Sequence, residues 1–345
     1  MTTTATTETV TRAEPAYRVF DVTVARVQEL SPSFVRVTFT GPDAAAFGTD
    51  GLDQRIKLVL PNEAGHRPDA ADFEGDSWYA AWRELPDELR CPLRTYTVRA
   101  VRPHVGLGEV DVDMVVHVSD DGHDGPAARW LQTVETGTPC VLIGPNARYD
   151  GPASGIEWAP PASATTLVLA GDETAAPAIC SILESLAPGT EAQAFVEVPL
   201  EADALSLTLP AGASITWLPR SRGGSDPVEH GSLLDGAVRA HMQLCAAKQA
   251  AGLCDTSCHD VPIERISLPK GQPAAELEDV DVDTTILWEV PTADTSAGPL
   301  TDCYAWIAGE AGVIKLLRRH LVSDLGIDRR SVAFMGYWRR GKAEG

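Results

Sequence analysis

The sequence predicts two lobes, a small antiparallel β-barrel followed by a parallel α/β domain. Short strands with alternating apolar residues fill the first half. Strands alternate with helices in the second half. A Pro/Ser/Ala-rich stretch, PPASATT at 160–166, separates the two patterns.

Six strands account for the barrel. YRVFDVTVARVQEL alternates through Phe20, Val22 and Val24, FVRVTFTG through Val35, Val37 and Phe39, and RIKLVLP through Ile56, Leu58 and Leu60. LRTYTVRAVR, VDVDMVVHVSD and TPCVLIGP supply the rest, with Gly, Pro, Asp and Ser clusters between them. One helix interrupts the barrel at GPAARWL, where Pro126 suits a first helical turn. The barrel domain is expected over 17–160, after a flexible Thr-rich N-terminus, 1–16.

The second domain is expected over 161–345. TTLVLAGD reads as an apolar strand running into a turn, and TAAPAICSILESLA as the helix that follows. AQAFVEV, SITWLPR and YAWIAGE read as further strands, and SVAFMGYW as the closing one. GVIKLLRRHLVSDLG is an amphipathic helix, with Val313, Leu317 and Leu321 on one stripe beside Ile314. An atypical insertion is predicted at about 238–299. Its first part suits a helix and ILWEV suits a strand, while the remainder is acidic and turn-rich.

Composition narrows the function. The chain has 345 residues, 44% hydrophobic and 22% charged, enough to bury a sizeable core. A net charge of -21 argues against nucleic acid and against anionic membrane surfaces. No apolar run approaches ~20 residues, so no membrane insertion is expected. Seven cysteines in a chain whose start has no secretory pattern suit reduced thiols in a cytoplasm. The acidity stops near Val313, after which Lys315, Arg318, Arg319, Arg329, Arg330, Arg339, Arg340 and Lys342 form a basic tail. Solvated helix ends or an anion site both fit such a tail.

The segment CPLRTYTVRA concentrates chemistry. Strand alternation puts Arg94, Tyr96 and Val98 on one side and Thr95, Thr97 and Arg99 on the other. A cation and an aromatic ring facing one way suit a flat, anionic ligand.

A barrel followed by a βαβ domain, with Arg-x-Tyr-Thr late in the barrel, resembles the ferredoxin-reductase-like flavoproteins. HVSDDGHDGPAARW, AGDETAAPAI, YAWIAGEAGVIKLLRRHL and GYWRRGKAE narrow the match. They resemble the siderophore-interacting protein family of ferric-siderophore reductases. The likeness runs from Tyr17 to Glu344 outside most of 238–299. It implies FAD, NADPH or NADH as electron donor, a ferric siderophore as substrate, and a ferredoxin as a possible alternative donor.

The resemblance also implies roles. Arg94 would bind the flavin phosphates, and Tyr96 would stack on the isoalloxazine. Thr97 would hydrogen-bond the ring. Because it faces away from Tyr96 in an ideal strand, it must use its backbone or the strand must bend. Gly125, Pro126, Ala127, Ala128, Arg129 and Trp130 would form the second phosphate contact, at a helix start. His117 would lie near the cofactor. In the second domain Gly171, Asp172, Glu173 and Thr174 would face the nicotinamide nucleotide at a strand end, and Ala308, Gly309 and Glu310 would flank nicotinamide and flavin. Arg220 and Arg222, either side of Ser221, suit a 2′-phosphate and favour NADPH, or are exposed loop cations. Lys57, Lys315, Arg339 and Lys342 would attract the anionic chelate.

No acid–base catalyst is assigned, because electron transfer by the flavin needs none. No metal site is assigned either. Cys245, Cys254, Cys258 and His259 lack the two close pairs of a standard zinc or iron–sulfur site. A flavin reductase with another acceptor and a non-catalytic siderophore binder are the competing readings.

Overall fold

The computed structural model describes residues 14–49, 51–73, 75, 78–116, 125–250 (the backbone alone at 248–250), 287–291 and 302–341. Residues 1–13, His117, Cys254, Cys258, His259 and Lys342 lie outside the described residues.

The first domain is an antiparallel sheet of seven described strands: β1 (Tyr17–Ser31), β2 (Phe34–Thr40), β3 (Arg55–Val59), β4 (Leu93–Thr97), β5 (Ala100–Arg102), β6 (Glu109–Val115) and β7 (Pro139–Pro145). Their order is β4-β3-β7-β1-β2-β6-β5. The expected six became seven because LRTYTVRAVR splits. Val98 N–H donates to Gln54 O on the β3 side, and Arg99 N–H donates to Asp111 O on the β6 side. The chain changes partner between consecutive residues, so one bent run joins the two sheet edges and closes the curl. Phe20, Phe39, Ile56, Leu58, Met114 and Leu142 fill its interior. At about 1.5–3 kcal/mol for each large apolar side chain buried, this alternating face fixes the register.

Acids on β6 are covered rather than solvated. Val110, Val112 and Met114 face the barrel core. The alternate residues Glu109, Asp111 and Asp113 meet Arg26 (2.7 Å), Arg102 (2.6 Å) and Arg36 (2.6 Å). Hydrogen bonds from Arg26, opposed by burial and reinforced by Arg102, hold the Glu109 carboxyl down at about 2. Arg99 continues the ladder to Glu184 of the second domain at 2.6 Å.

The second domain carries a six-stranded sheet of β8 (Thr166–Gly171), β9 (Glu191–Leu200), β10 (Ala213–Ser221), β11 (Trp288–Glu289), β12 (Cys303–Glu310) and β13 (Val332–Trp338). The order is β10-β9-β8-β12-β13-β11, parallel throughout except for β11, which runs antiparallel to β13. The order reverses between β8 and β12, and open parallel sheets bind ligands at the carboxyl ends of strands beside such a reversal.

One boundary moved. The described helices are α1 (Trp78–Glu84), α2 (Pro126–Leu131), α3 (Ala176–Ser185), α4 (Ser232–Ala250) and α5 (Ala311–Arg319), and α4 spans the start of the predicted insertion. Leu234, Val238, Met242 and Cys245 recur at helical spacing and pack in the core under the sheet. The first part of 238–299 is therefore core, not surface. Cys245 is buried there, 3.5 Å from His241 Nε2. Among the described residues no cluster suits a metal, and no helix is long and apolar enough to cross a membrane.

Two fully buried carboxylates tie the domains together. Asp53 accepts from the Glu157 and Trp158 N–H groups of the linker and from Trp306 Nε1 of the second domain (3.1, 3.1 and 3.2 Å). Asp203 accepts from Ser31 Oγ (2.7 Å) and Ser33 N–H (2.9 Å) across the same boundary. Each keeps several donors, which offsets the cost of burying a charge.

Candidate functional site

The barrel side of the site is built by β4 and a short helix. Tyr96 lies opposite Ile56, and Arg94 opposite Leu58, so both belong to the core-facing row as expected. Tyr96 is half-buried against the barrel core, and burial pushes its hydroxyl pKa up despite the nearby Arg94 charge. It is thus a neutral, flat surface. Arg94 is half-buried, and its Nη1 donates to Leu93 O at 2.8 Å. Thr97 is buried opposite Arg55 on the other face. The chain changes partner only after Thr97, so Thr97 and Tyr96 keep opposite faces along β4.

Helix α2 (Pro126–Leu131) begins at Gly125, with Pro126 in its first turn, and the N-cap glycine itself has no side chain to cap it. Its first-turn N–H groups, including those of Ala127 and Ala128, have no intrahelical acceptor. A Cβ added to Gly125 would meet open space. Trp130 is buried and stacks on Phe39 (6.4 Å between centroids), which pins α2 to the barrel. Ala127 packs on the same core cluster as Tyr96, placing ring platform and helix start on one body. Arg129 is paired with Glu63 at 2.7 Å on the surface. A planar cation, an aromatic face and first-turn N–H groups at a glycine-led helix start fit a flavin dinucleotide.

The second domain contributes the crevice at the β8/β12 reversal. Gly171 must be glycine, since a Cβ would lie 2.6 Å from Ala308 O. Gly309 has φ +150, and a Cβ there would lie 2.7 Å from Asp172 Oδ2. Both glycines are therefore demanded by internal packing where the two strand ends converge.

The acids expected to face the nucleotide are turned inward. Asp172 is 1% exposed and Glu173 3%. Asp172 Oδ1 accepts from the Thr174 N–H (2.9 Å) and hydroxyl (2.5 Å). Its Oδ2 accepts from Glu310 N–H and Trp338 Nε1, both at 2.8 Å. Burial, then the Glu173 charge, pushes the Asp172 carboxyl up. Glu310 caps helix α5 (Ala311–Arg319) through Val313 N–H at 3.0 Å and also receives Arg340 N–H.

Arg220 is not a phosphate ligand in this arrangement. Its guanidinium holds Glu173 by two bonds (2.8 and 2.9 Å) and reaches Glu197 at 3.3 Å, with its side chain 12% exposed. Burial raises the Glu173 carboxyl, but the Arg220 bonds outweigh it and hold it below the usual range. Glu197, fully buried, also accepts from Gly231 and Leu234 N–H at the start of α4. Arg222 is exposed in the turn after β10 and remains open to a 2′-phosphate.

The cations expected at the substrate divide. Lys57 Nζ donates to Thr95 Oγ1 at 2.5 Å, on the strand face opposite Tyr96. Lys315 and Arg339 are half-buried. Much of the basic tail is matched internally. Arg318 and Arg329 bind Glu289 (2.6 and 3.1 Å), and Arg330 binds Asp328.

Sequence reasoning missed several residues here. Trp288, on the short strand β11, stacks on Tyr337 (5.9 Å) and takes the Arg55 guanidinium over its ring at 4.7 Å. Trp338 sits within GYWRRG, whose cations drew attention away from the ring. Glu197 interrupts an apolar strand, and a lone acid in such a run was the available signal.

Residues 164–341 match the family model described as Siderophore-interacting protein, and residues 23–149 match that described as Siderophore-interacting FAD-binding domain. An uncharacterised protein of Mycobacterium tuberculosis is 30% identical over 327 residues, 93% of this chain and 90% of its own. The ferric vibriobactin reductase of Vibrio cholerae is 28% identical over 319 residues, 92% of this chain and 89% of its own. The crystal structure of a siderophore-interacting protein from Aeromonas hydrophila superposes with a TM-score of 0.58 at 26% identity, covering 96% of this chain and 95% of that one.

Proposed function

Since the chain belongs to the siderophore-interacting protein family, we propose that it is an FAD-dependent ferric-siderophore reductase that takes electrons from NAD(P)H. The observation that carries this reading is the shared barrel body that holds Tyr96 and the start of α2, with Arg94 on the same strand row as Tyr96.

Each part has a task. The Arg94 fork would hold flavin phosphate, and the α2 first-turn N–H groups would take the diphosphate. Tyr96, half-buried against the barrel core, offers a flat aromatic face to the ring. Bound FAD supplies the chemistry, accepting two electrons from a nicotinamide and passing them singly to ferric iron. The donor nucleotide binds at the β8/β12 edge, beside Gly171 and Gly309. Arg222 is the cation left to meet a 2′-phosphate. Lys315, Arg339 and Lys342 draw an anionic chelate toward the crevice, an attraction that weakens with salt, whereas Lys57 lies on the strand face away from Tyr96. Ferric iron prefers hard oxygen ligands and ferrous iron is held less tightly, so reduction releases it. We place the protein in the cytoplasm, in keeping with its buried free cysteines.

Anaerobic reduction tests the reading. FAD-loaded protein is mixed with NADPH, NADH or a reduced ferredoxin, then with a ferric catecholate chelate and a ferrous trap. The expected result is bleaching by a nicotinamide, followed by flavin reoxidation in step with trapped ferrous iron. Bleaching by ferredoxin alone transfers the donor role to that protein. Reduced flavin that ignores every ferric chelate overturns the reductase in favour of another acceptor. Chelate binding by a flavin-free protein favours the binder.

A further inference from the structure

We propose that His230 is a proton-carrying positioning residue: on taking a proton from solvent it draws Asp172 and Glu173 toward itself and loosens the hold of Asp172 on the Trp338 indole. The side chain of His230 is 9% exposed, and neither Nδ1 nor Nε2 has a hydrogen-bond partner among the described residues. Its Nε2 lies 3.6 Å from Asp172 Oδ2 and 3.8 Å from Glu173 Oε2. Those distances are too long for hydrogen bonds and short enough for strong attraction once the ring is charged. The ring stands edge-on to Trp338, with centroids 5.2 Å apart and planes at 82°.

A neutral imidazole always carries one N–H, and leaving it buried without an acceptor is unfavourable. The arrangement is therefore poised to change. A shift of about 0.7 Å brings Nε2 to bonding distance from Asp172 Oδ2. That oxygen already accepts from Glu310 N–H and Trp338 Nε1. A third donor competes with these two, because a carboxylate oxygen offers two lone-pair sites. Glu310 N–H is backbone at the start of α5, fixed by the capping bond to Val313. Trp338 is a half-buried side chain at a strand end, so the indole yields first.

The charged groups around His230 come from several elements. Asp172 and Glu173 leave the β8 end, and Glu197 of β9 binds the neighbouring Gly231 N–H. Arg220 of β10 binds Glu173 and Glu197. The β13 side presents neutral Trp338, with Arg339 next in the chain and the Glu310 carboxylate bound to Arg340 N–H. Loosening Trp338 moves the segment that carries Arg339, so chelate affinity becomes proton-linked. This last consequence rests on the function proposed above, whereas the His230–Trp338 coupling does not.

The test uses the full chain labelled with 5-fluorotryptophan, the Trp338 signal being assigned by Trp338→Phe. Across about pH 5 to 8, where imidazoles exchange protons, the Trp338 fluorine shift is expected to follow the His230 Cε1–H shift, and to stay flat in His230→Gln. A flat Trp338 signal in the unsubstituted protein, midpoints that differ between the two groups, or an equal response in His230→Gln overturns the proposal. The first two outcomes are read without any His230 variant, so a misfolded one leaves the test intact. Binding of a redox-inert gallium catecholate is then measured over the same range. Its indifference to pH, with the fluorine coupling intact, counts against the role of Arg339 and not against His230.

Discussion

Replacing Arg94 with alanine is expected to weaken FAD binding about 10- to 100-fold. A charge-assisted, bidentate bond to phosphate contributes roughly 1.5–3 kcal/mol, and each 1.4 kcal/mol is tenfold. Calorimetric titration of flavin-free protein with FAD reads the effect directly. The urea midpoint of the flavin-free variant, measured alongside, separates any loss of fold stability from the loss of affinity. Arg94→Lys should recover part of the affinity, because an ammonium keeps the charge without the planar fork. Unchanged affinity in Arg94→Ala would remove the phosphate from this strand.

The second large effect is on stability. Arg220→Ala is expected to cost about 3–5 kcal/mol, the usual penalty for stranding a buried charge. Arg220 is the guanidinium shared by Glu173 and Glu197, which are 3% and 0% exposed. The measurement is the urea midpoint at constant m-value. Arg220→Ala combined with Glu173→Gln should regain part of the loss, because one uncompensated charge has gone. A single-variant loss below about 1 kcal/mol is a surface ion-pair value and would contradict the buried network.

The contrast between these arginines shows what the sequence makes legible. Arg94 and Tyr96 share a face because strand alternation is a local rule, and the structure keeps it. The barrel and the parallel domain were legible for the same reason. Arg220 reads in sequence as a 2′-phosphate ligand or a loop cation, because its carboxylate partners lie 47 and 23 residues earlier in the chain. Asp172 and Trp338 are 166 residues apart. No periodicity encodes such pairings, which arise where strand ends converge. The split of β4 from β5 was hidden for a related reason, since the apolar pattern continues through Val98 while the hydrogen-bond partner changes. The first turns of α4 were hidden by a Gly- and Asp-bearing start, SLLDGAV, although Leu234 and Val238 carry helical spacing. The inward turn of Asp172 and Glu173 follows from burial plus the donors around them, which are visible only after folding.

The central claim is that one flavin lies against Tyr96 with its diphosphate at the start of α2. A crystal structure of the FAD complex tests it most directly. The expected result is an isoalloxazine packed on the Tyr96 ring, phosphate oxygens within hydrogen-bond distance of the Arg94 guanidinium and the Ala127 and Ala128 N–H groups, and the ring edge open to the Gly309 side. Flavin bound elsewhere, or a Tyr96 ring covered by protein side chains in the complex, would contradict it.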